Sequence, residues 1–431
     1  MPPLSGSLTV PGDKSISHRA LIFSAFSQGT SEVFNCSPAH DVISTAECLN
    51  RLGLSVKKQK SDGPQSQNTN FLIESGGIKS LRSPTELLDA GNSGTTIRLM
   101  SGLVAGCPFT TKFDGDESLR KRTMKRVFQP LAEMGAQVTA TEDAYAPFAI
   151  TGGALKGKEF VLNVASAQVE ACILLAGLQA EGKTSVTAPR TVRDHTRRMF
   201  EYIGVSFVSG DKKLSVEALT KPIPAYKLTV PSDISSAAFF MVAAACIPDS
   251  DLTLLSVGIN PGRTLIIDVL RDMGASIDVV NEQELCGEPV ADIRVRYNGR
   301  LTGVNVPEEH IATGIDEIPV LAIAGAICDG EFKVSGAEEL RHKESDRISA
   351  LCNNLKAAGV DVDEKSDGFI IRGQKTICGG SSWKTALDHR LAMTAIVASY
   401  VFEKPLEIDD PDCMSVSYPE FRNDFEKVMS E

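Results

Sequence analysis

The sequence predicts an α/β protein built from six copies of one unit, and two recurring patterns carry that expectation. The first is a set of six stretches beginning near His18, Gly94, Gln168, Ile234, Glu317 and His389, at intervals of 76, 74, 66, 83 and 72 residues. Each has a polar or glycine start, a run of small apolar residues, a turn bearing Gly, Pro or charge, and a short strand. HRALIFSAFSQGTSEV from 18 and QVEACILLAGLQAEGKTSV from 168 are examples. Helices apolar nearly all round belong inside a core, and repetition at a fixed period marks a repeated architecture. The second pattern alternates with the first: an amphipathic helix that ends in Gly and leads into a strand, as in LNRLGLSV, LAEMGAQV, FEYIGVSF, LRDMGASI and LKAAGVDV. The Gly fits a C′ cap, and the β-branched or aromatic run after it fits a strand. One buried helix, one amphipathic helix and strands per unit make an α/β fold, and six units divide into two lobes of three. The proline-bearing stretch 221–231, about halfway along, is the expected crossing between lobes.

Taken in chain order, the unusual residues gather where the buried helices start. The segment PGDKSISHR at 11–19 ends a strand-like run at Pro-Gly and brings Lys14, Ser15, His18 and Arg19 together just before the apolar Ala20-Leu21-Ile22-Phe23. Cations, hydroxyls and free backbone N–H groups at a helix start form an anion site. Arg19 lies three and four residues before Ile22 and Phe23, on the face destined for the core. The stretch 57–70, KKQKSDGPQSQNTN, reads as a surface hairpin or loop. The second start carries Asn92-Ser93-Gly94-Thr95 and Arg98, which alone would be a turn and N-cap. Residues 118–122, SLRKR, are a dense cationic run. The third start has Ser166 and Gln168, and Arg193-Asp194-His195 precedes the next amphipathic helix. The fourth has Ser232, Asp233 and Ser235, read as a cap. The fifth has Asp316 and Glu317; residues 341–347, RHKESDR, follow, with Arg347 in one column with Leu351 and Leu355 and so facing the core. The sixth has Asp388, His389 and Arg390. His18 and His389 taken singly read as structural. Two facing lobes with such ends would enclose a cleft suited to small polyanions, each helix end contributing about half a positive charge.

Composition narrows the functional classes. The chain has 431 residues, 42% hydrophobic and 23% charged, and a net charge of −11. That balance argues against a general nucleic-acid or membrane-surface binder, whose footprint would be basic. Ten cysteines are scattered without a C-x-x-C pair or a histidine at metal-ligand spacing. Most fall in apolar stretches, as Cys172, Cys246 and Cys328 do, and read as small core residues in a reducing compartment, with no structural zinc and no metal. Thirteen residues precede Lys14, which leaves no room for a leader, and no apolar run reaches membrane-spanning length. A cytoplasmic protein is expected. The segment 11–19 is not a Walker A loop, since the G-x-x-x-x-G-K spacing is absent.

These residues resemble the 5-enolpyruvylshikimate-3-phosphate synthases, the 3-phosphoshikimate 1-carboxyvinyltransferases. The resemblance covers nearly the whole chain and rests on PGDKSISHRA at 11–20, AGNSGTTIRL at 90–99, SLRKRTM at 118–124, SAQVEACILLAGL at 166–178, the region of Asp316, RHKESDR at 341–347 and DHR at 388–390. It implies a two-lobed inside-out α/β barrel of six βαβαββ repeats, three per lobe. One lobe is then residues 1–12 plus 232–431 and the other 13–231. It also implies transfer of the enolpyruvyl group of phosphoenolpyruvate to the 5-hydroxyl of 3-phosphoshikimate, with release of phosphate, by a monomer without a cofactor and with glyphosate as an inhibitor. By the family pattern Lys14, Ser15, Arg19, Ser166, Ala167, Gln168, Arg193, Asp316 and Lys343 bind 3-phosphoshikimate. Lys14, Gly94, Arg122, Gln168, Arg347 and Arg390 bind phosphoenolpyruvate, and Asp316, Glu344 and Lys14 are the catalytic groups.

The chain departs from the pattern at four places. Ala167 stands where many members have a second Ser, Thr123 where a Pro is usual, Glu339 where an Asn is common, and Val416 where a Lys is common. A related enzyme, UDP-N-acetylglucosamine 1-carboxyvinyltransferase, typically carries a reactive Cys or Asp in a mobile loop. The equivalent stretch here, 114–120, reads DGDESLR and has no Cys. A noncatalytic phosphometabolite-binding protein would have no need of Asp316 and Glu344 among the cations.

Overall fold

In a computed structural model, residues 2–59, 69–190, 193–210 and 212–429 are described. The chain forms two compact units: Met1–Asp13, Pro231–Glu284 and Pro289–Glu431 make unit 1, and Lys14–Val230 with Leu285–Glu288 make unit 2. The helices, in order, are α1 (Lys14–Phe23), α2 (His40–Arg51), α3 (Gly94–Val104), α4 (Glu117–Arg120), α5 (Lys125–Met134), α6 (Ala167–Gly177), α7 (His195–Ile203), α8 (Ile234–Cys246), α9 (Leu265–Asp272), α10 (Ile318–Ile327), α11 (Arg347–Ala357), α12 (His389–Val401) and α13 (Phe421–Met429).

The six apolar stretches are α1, α3, α6, α8, α10 and α12. Every residue of α8 is buried, and every residue of α10 but the last. In unit 2, α3 packs on α1 and α6; in unit 1, α8, α10 and α12 pack on one another. The α3–α6 contact is backbone against backbone, since a Cβ on Gly102 would lie 2.1 Å from the carbonyl oxygen of Cys172. The five predicted cap glycines, Gly53, Gly135, Gly204, Gly274 and Gly359, all have φ between 79° and 119°, the left-handed conformation that ends a helix without a Cβ clash.

One expectation needs correction. The apolar run placed the first helix near Ala20, but α1 starts at Lys14. The Asp13 amide donates to the Pro231 carbonyl at 2.8 Å and Gly12 bridges Ser232, so the chain is held extended up to residue 13. Ile16, Ala20 and Phe23 then form the buried stripe. Lys14 and Ser15 therefore sit in the first turn of α1, and Arg19 in its second. The stretch 57–70 begins in the strand Ser55–Gln59 and ends in Thr69–Gly76; residues 60–68 lie outside the described residues.

Four sheets share one topology: a parallel edge pair followed by two antiparallel steps. In unit 2, Leu88–Asp89 runs parallel to Thr110–Asp114, which pairs antiparallel with Tyr145–Thr151, and that with Gln137–Thr141. Glu159–Val161, Thr184–Thr187, Lys213–Val216 and Phe207–Gly210 repeat it. In the sheet of Ser27–Cys36, the parallel edge comes from Ile223–Pro224 and Lys227–Thr229, far along the chain. In unit 1, Ser5–Leu8 supplies that edge for Asp251–Gly258. The fifth copy reduces its parallel edge to isolated bridges, Thr302 with Asp329 and Asn305 with Lys333. The sixth keeps only the parallel pair Ser382–Trp383 with Glu407–Ile408, and α13 follows where the others have a hairpin. The two crossings of the chain thus each supply a first strand, completing the βαβαββ pattern.

The close α3–α6 approach makes Gly102 a sensitive position. Gly102→Ala is expected to destabilise the fold by about 3 kcal/mol, read as a lower urea midpoint with an unchanged denaturant slope. Wild-type stability in this variant would show that α3 and α6 can separate freely.

Candidate active site

In unit 2 the N-terminal turns of α1, α3 and α6 converge. Arg19, 2% exposed, donates from Nε to Thr196 Oγ1 at 2.9 Å, from Nη1 to the Ser15 carbonyl at 3.0 Å and from Nη2 to the Ala167 carbonyl at 3.4 Å. Gln168 donates to Thr95 Oγ1 at 2.9 Å and accepts from Arg98 Nη1. Ser93 and Ser166 cap α3 and α6, accepting from Thr96 N at 3.0 Å and Val169 N at 3.4 Å. His18 is fully buried, its Nδ1 2.7 Å from Thr45 Oγ1, which lies 2.6 Å from Thr96 Oγ1, so this histidine ties α1 to α2 and α3 as a structural residue. Lys14 Nζ pairs with Asp41 Oδ2 at 3.0 Å. The cationic run 118–122 splits. Arg120 and Lys121 pair outward with Asp114 and Glu117, whereas Arg122 reaches Asn92 Oδ1 at 3.0 Å beside the α3 start. Gly94 keeps that corner open: a Cβ there would come within 3.0 Å of Arg98 Nη1 and 3.6 Å of Arg122 Nη1.

In unit 1 the starts of α8, α10 and α12 converge in the same manner, and carboxylates meet cations. Arg347, 1% exposed, donates from Nε to Asp388 Oδ2 at 2.7 Å and from Nη2 to Glu344 Oε2 at 2.5 Å, and its Nη1 is 3.4 Å from Asp316 Oδ1. Lys343 Nζ and Arg390 Nε each lie 3.9 Å from the same Asp316 oxygen, and Arg390 Nη1 donates to the Asp316 carbonyl at 3.2 Å. Burial works against charge on both Arg347 and Asp388. Their mutual attraction outweighs it, so Arg347 is held cationic and the Asp388 carboxyl lies below its ordinary value. Asp388 also caps α12, accepting from Arg390 N at 3.0 Å. Glu339, in the place of the common Asn, pairs with Lys343 at 3.6 Å, and Val416 lies in a 3₁₀ turn, half-buried.

The structure thus groups Ser15, Arg19, Gly94, Arg122, Ser166, Ala167 and Gln168 around three helix starts of unit 2, and Asp316, Lys343, Glu344, Arg347 and Arg390 around those of unit 1. Lys14 stands at the first turn of α1 and Arg193 just before α7. Lys14, Arg122, Gln168, Arg193, Asp316, Lys343, Glu344 and Arg390 are half-buried, within reach of a ligand yet partly shielded from water.

Sequence reasoning missed three participants. Asp41, in the first turn of α2, is a favourable charge at a helix start, and its partner Lys14 is 27 positions away. Arg263 follows an Asn-Pro-Gly turn that reads as a loop. Buried at 3% exposure, it joins Asp13 at 3.0 Å, Asp233 at 3.2 Å and Ser235 Oγ at 2.7 Å, and Ser235 in turn donates to Glu317. Asp233, read as a cap, does cap α8, through Ser235 N at 2.9 Å, but is also half of that ion pair. Burial, and then the charge of Asp13, push its carboxyl up.

The Arg347–Asp388 pair yields a stability test. Because the folded Asp388 carboxyl is depressed, its contribution is fully present above the ordinary aspartate value of about 3.9 and is lost as pH falls through the lower folded value. Asp388→Ala is expected to cost about 3–5 kcal/mol at neutral pH by leaving Arg347 short of a partner. The penalty should shrink in denaturation curves as pH falls below the ordinary aspartate value of about 3.9; a penalty independent of pH would contradict the ionised pair.

Comparison with known proteins shows the family. A family model described as EPSP synthase (3-phosphoshikimate 1-carboxyvinyltransferase) matches residues 1–425. The 3-phosphoshikimate 1-carboxyvinyltransferase of Carboxydothermus hydrogenoformans is 45% identical over 426 residues, covering 99% of this chain and 97% of that protein. The Bacillus licheniformis enzyme of the same name is 41% identical over 426 residues, covering 99% and 97%. Among solved structures, EPSP synthase from Acinetobacter baumannii superposes with a TM-score of 0.88 at 40% identity, covering 99% of this chain and 96% of that one. The enolpyruvyl transferase NikO from Streptomyces tendae, at 15% identity, a TM-score of 0.78 and coverage of 99% and 95%, shares the fold. With a matched model over nearly all of its residues and relatives this similar along their whole length, the chain belongs to the EPSP synthase (3-phosphoshikimate 1-carboxyvinyltransferase) family.

Proposed function

We propose that this chain transfers the enolpyruvyl group of phosphoenolpyruvate to the 5-hydroxyl of 3-phosphoshikimate, giving 5-enolpyruvylshikimate 3-phosphate and phosphate. The observation that carries this reading is the ring of cations on Asp316, a half-buried carboxylate with Arg347, Lys343 and Arg390 each within 4 Å of one oxygen. A carboxylate so placed can take a hydroxyl proton while cations beside it hold an anionic substrate. A plain anion-binding site would be weakened by it.

In the first step Asp316 accepts the 5-hydroxyl proton as that oxygen bonds to C2 of phosphoenolpyruvate, and a proton is delivered to C3. In the second the C2–phosphate bond breaks and a proton leaves the C3 methyl group. Glu344 and Lys14 carry those protons. Glu344 pairs with Arg347 and Lys14 with Asp41, which orients them. Ser15, Arg19, Ser166, Gln168, Arg193, Asp316 and Lys343 are assigned to 3-phosphoshikimate, with Ala167 offering its backbone alone. Lys14, Gly94, Arg122, Gln168, Arg347 and Arg390 are assigned to phosphoenolpyruvate. An anion at Arg347 competes with Glu344 and Asp316 for its donors, and loosening the Glu344 contact frees that carboxyl for proton transfer. Glyphosate would compete for the phosphoenolpyruvate groups, and the open corner at Gly94 supports its entry. Ten cysteines outside any disulfide support a reducing, cytoplasmic setting. No helix among the described residues is long and apolar enough to cross a membrane. The few large apolar side chains left exposed support a monomer.

Phosphate release from 3-phosphoshikimate plus phosphoenolpyruvate tests the reaction; release with UDP-N-acetylglucosamine instead would favour the other transferase. Asp316→Ala is expected mainly to lower turnover, with kcat down about 10²- to 10⁴-fold, and full turnover in this variant would refute the base assignment. Lys14→Met should raise KM for both substrates as well as lower kcat. Gly94→Ala, pressing on Arg98, should raise the glyphosate concentration for half-inhibition about tenfold or more; unchanged inhibition would place the inhibitor elsewhere.

A further inference from the structure

The turn that leads into α12 is held in a backbone conformation its residues do not favour. The Asp388 amide donates to the Thr385 carbonyl at 2.9 Å, and the two residues inside the turn, Ala386 and Leu387, have φ of 52° and 59°. Glycine or asparagine normally fills such positions, because a Cβ there crowds the backbone. Neither side chain offsets the strain by burial: Ala386 is exposed, and Leu387 is 74% exposed. The flanking residues hold the turn instead. Asn354 of α11 accepts from the Lys384 amide and donates to the Lys384 carbonyl, both at 2.8 Å. Thr385, 1% exposed, donates from its amide and from Oγ1 to Asp409 Oδ1, each at 2.9 Å. On the far side, Asp388 accepts from Arg347 Nε at 2.7 Å and from Ser345 Oγ at 3.0 Å. Arg347 and Asn354 are two helical turns apart on one face of α11, so one helix grips the chain on both sides of the turn. The short sheet of the sixth copy brings in Asp409. Trp383 pairs with Ile408, and the Asp409 amide donates to the Trp383 carbonyl at 3.2 Å, which sets the carboxylate beside Thr385.

We infer that Asp409 is a positioning residue for the phosphoenolpyruvate groups, acting through Thr385 to hold the strained turn and so to aim Arg347 and Arg390. The inference rests on the assignment of phosphoenolpyruvate to those two cations. Asp388 is both the partner of Arg347 and the cap of α12, where it accepts from Arg390 N at 3.0 Å. Two consecutive left-handed residues reverse the chain so that Thr385 and Asp388, on either side, are both buried. Strained residues persist only where their surroundings over-determine them. Asp409 Oδ1 meets that need with three donors, the two of Thr385 and the Asp410 amide at 2.8 Å. Remove it, and the buried amide and hydroxyl of Thr385 lose their acceptor. Leu387 then relaxes towards negative φ and draws Asp388 off Arg347, and the start of α12 with it. Asp316 and Lys343, assigned to 3-phosphoshikimate, stand on other segments, just before α10 and just before α11. The effect therefore belongs mainly in the KM for phosphoenolpyruvate.

The test is steady-state kinetics of Asp409→Ala, with each substrate varied in turn, beside thermal unfolding. KM for phosphoenolpyruvate should rise about three- to tenfold, while KM for 3-phosphoshikimate stays within about twofold of wild type. Asp409→Asn, which keeps an acceptor oxygen in place, should restore the wild-type KM. Glycine takes positive φ without strain, so Leu387→Gly should melt about 2–4 °C above wild type with unchanged KM. Added to Asp409→Ala, it should recover most of the lost affinity for phosphoenolpyruvate, which a residue serving stability alone would not allow. Thr385→Val, lacking only the hydroxyl, takes the place of Asp409→Ala should that variant not fold. Unchanged KM for phosphoenolpyruvate, equal rises for both substrates, or no rescue by Leu387→Gly would overturn the inference and leave the reaction standing. Absence of phosphate release by wild type would overturn the reaction itself. The turn is then read from melting alone: Leu387→Gly should gain more in wild type than in Asp409→Ala, and equal gains would overturn the role of Asp409.

Discussion

A helix with no polar face has no stable place at a protein surface. Six such helices dominate this chain, and their burial decides where everything else goes. α8 is enclosed along its whole length, and α3 lies so close to α6 that one added methyl group would strike a carbonyl. The strands and the amphipathic helices must then cover the apolar ones, and the helix ends are the one part of the core elements where polar groups can be satisfied. Each N-terminus brings unpaired N–H groups and a partial positive charge. The polar chemistry therefore collects there: Ser93 and Ser166 as caps, Gln168 joining α6 to α3, and Asp388 both capping α12 and holding Arg347.

The buried cations follow from the same constraint. A guanidinium at 1% exposure persists only with carboxylates around it, and Arg347 has Asp388, Glu344 and Asp316. Arg263 has Asp13 and Asp233. The two clusters differ in what they leave open. The groups around Arg263 are buried, so this network is a brace. Asp316, Lys343, Glu344 and Arg390 around Arg347 are half-buried, so that network can exchange an internal carboxylate for an incoming anion. At the helix starts of unit 2, Arg19 donates to the neutral oxygens of Ser15, Ala167 and Thr196.

Most of this was legible in the sequence because it is local. Apolar runs of helical length, five cap glycines and the clustering of Lys, Arg, Ser and Asp at helix starts are short-range signals, and the structure places each of them as read. The failures are all long-range. α1 starts six residues before Ala20 because the chain around residue 13 is held by Pro231 and Ser232. The pairing of Arg263 has no local signal, because its partner Asp13 is 250 positions away. Asp233 was recognisable as a cap from its neighbours, but nothing near it in sequence announces the ion pair.

The exchange of first strands between the two halves of the sequence bears on how the molecule can be made. Asp251–Gly258 receives its parallel neighbour from Ser5–Leu8, and Ser27–Cys36 receives its own from residues beyond 222. A ribosome releasing this chain therefore exposes the strand Ser5–Leu8 long before its partner exists, and Ser27–Cys36 keeps one unpaired border until the middle of synthesis. Such borders are templates for pairing with other chains. Neither half of the gene encodes a complete sheet set, so splitting the protein at its apparent midpoint would leave each fragment with a raw edge. The nascent chain carries that hazard for as long as the second half remains untranslated.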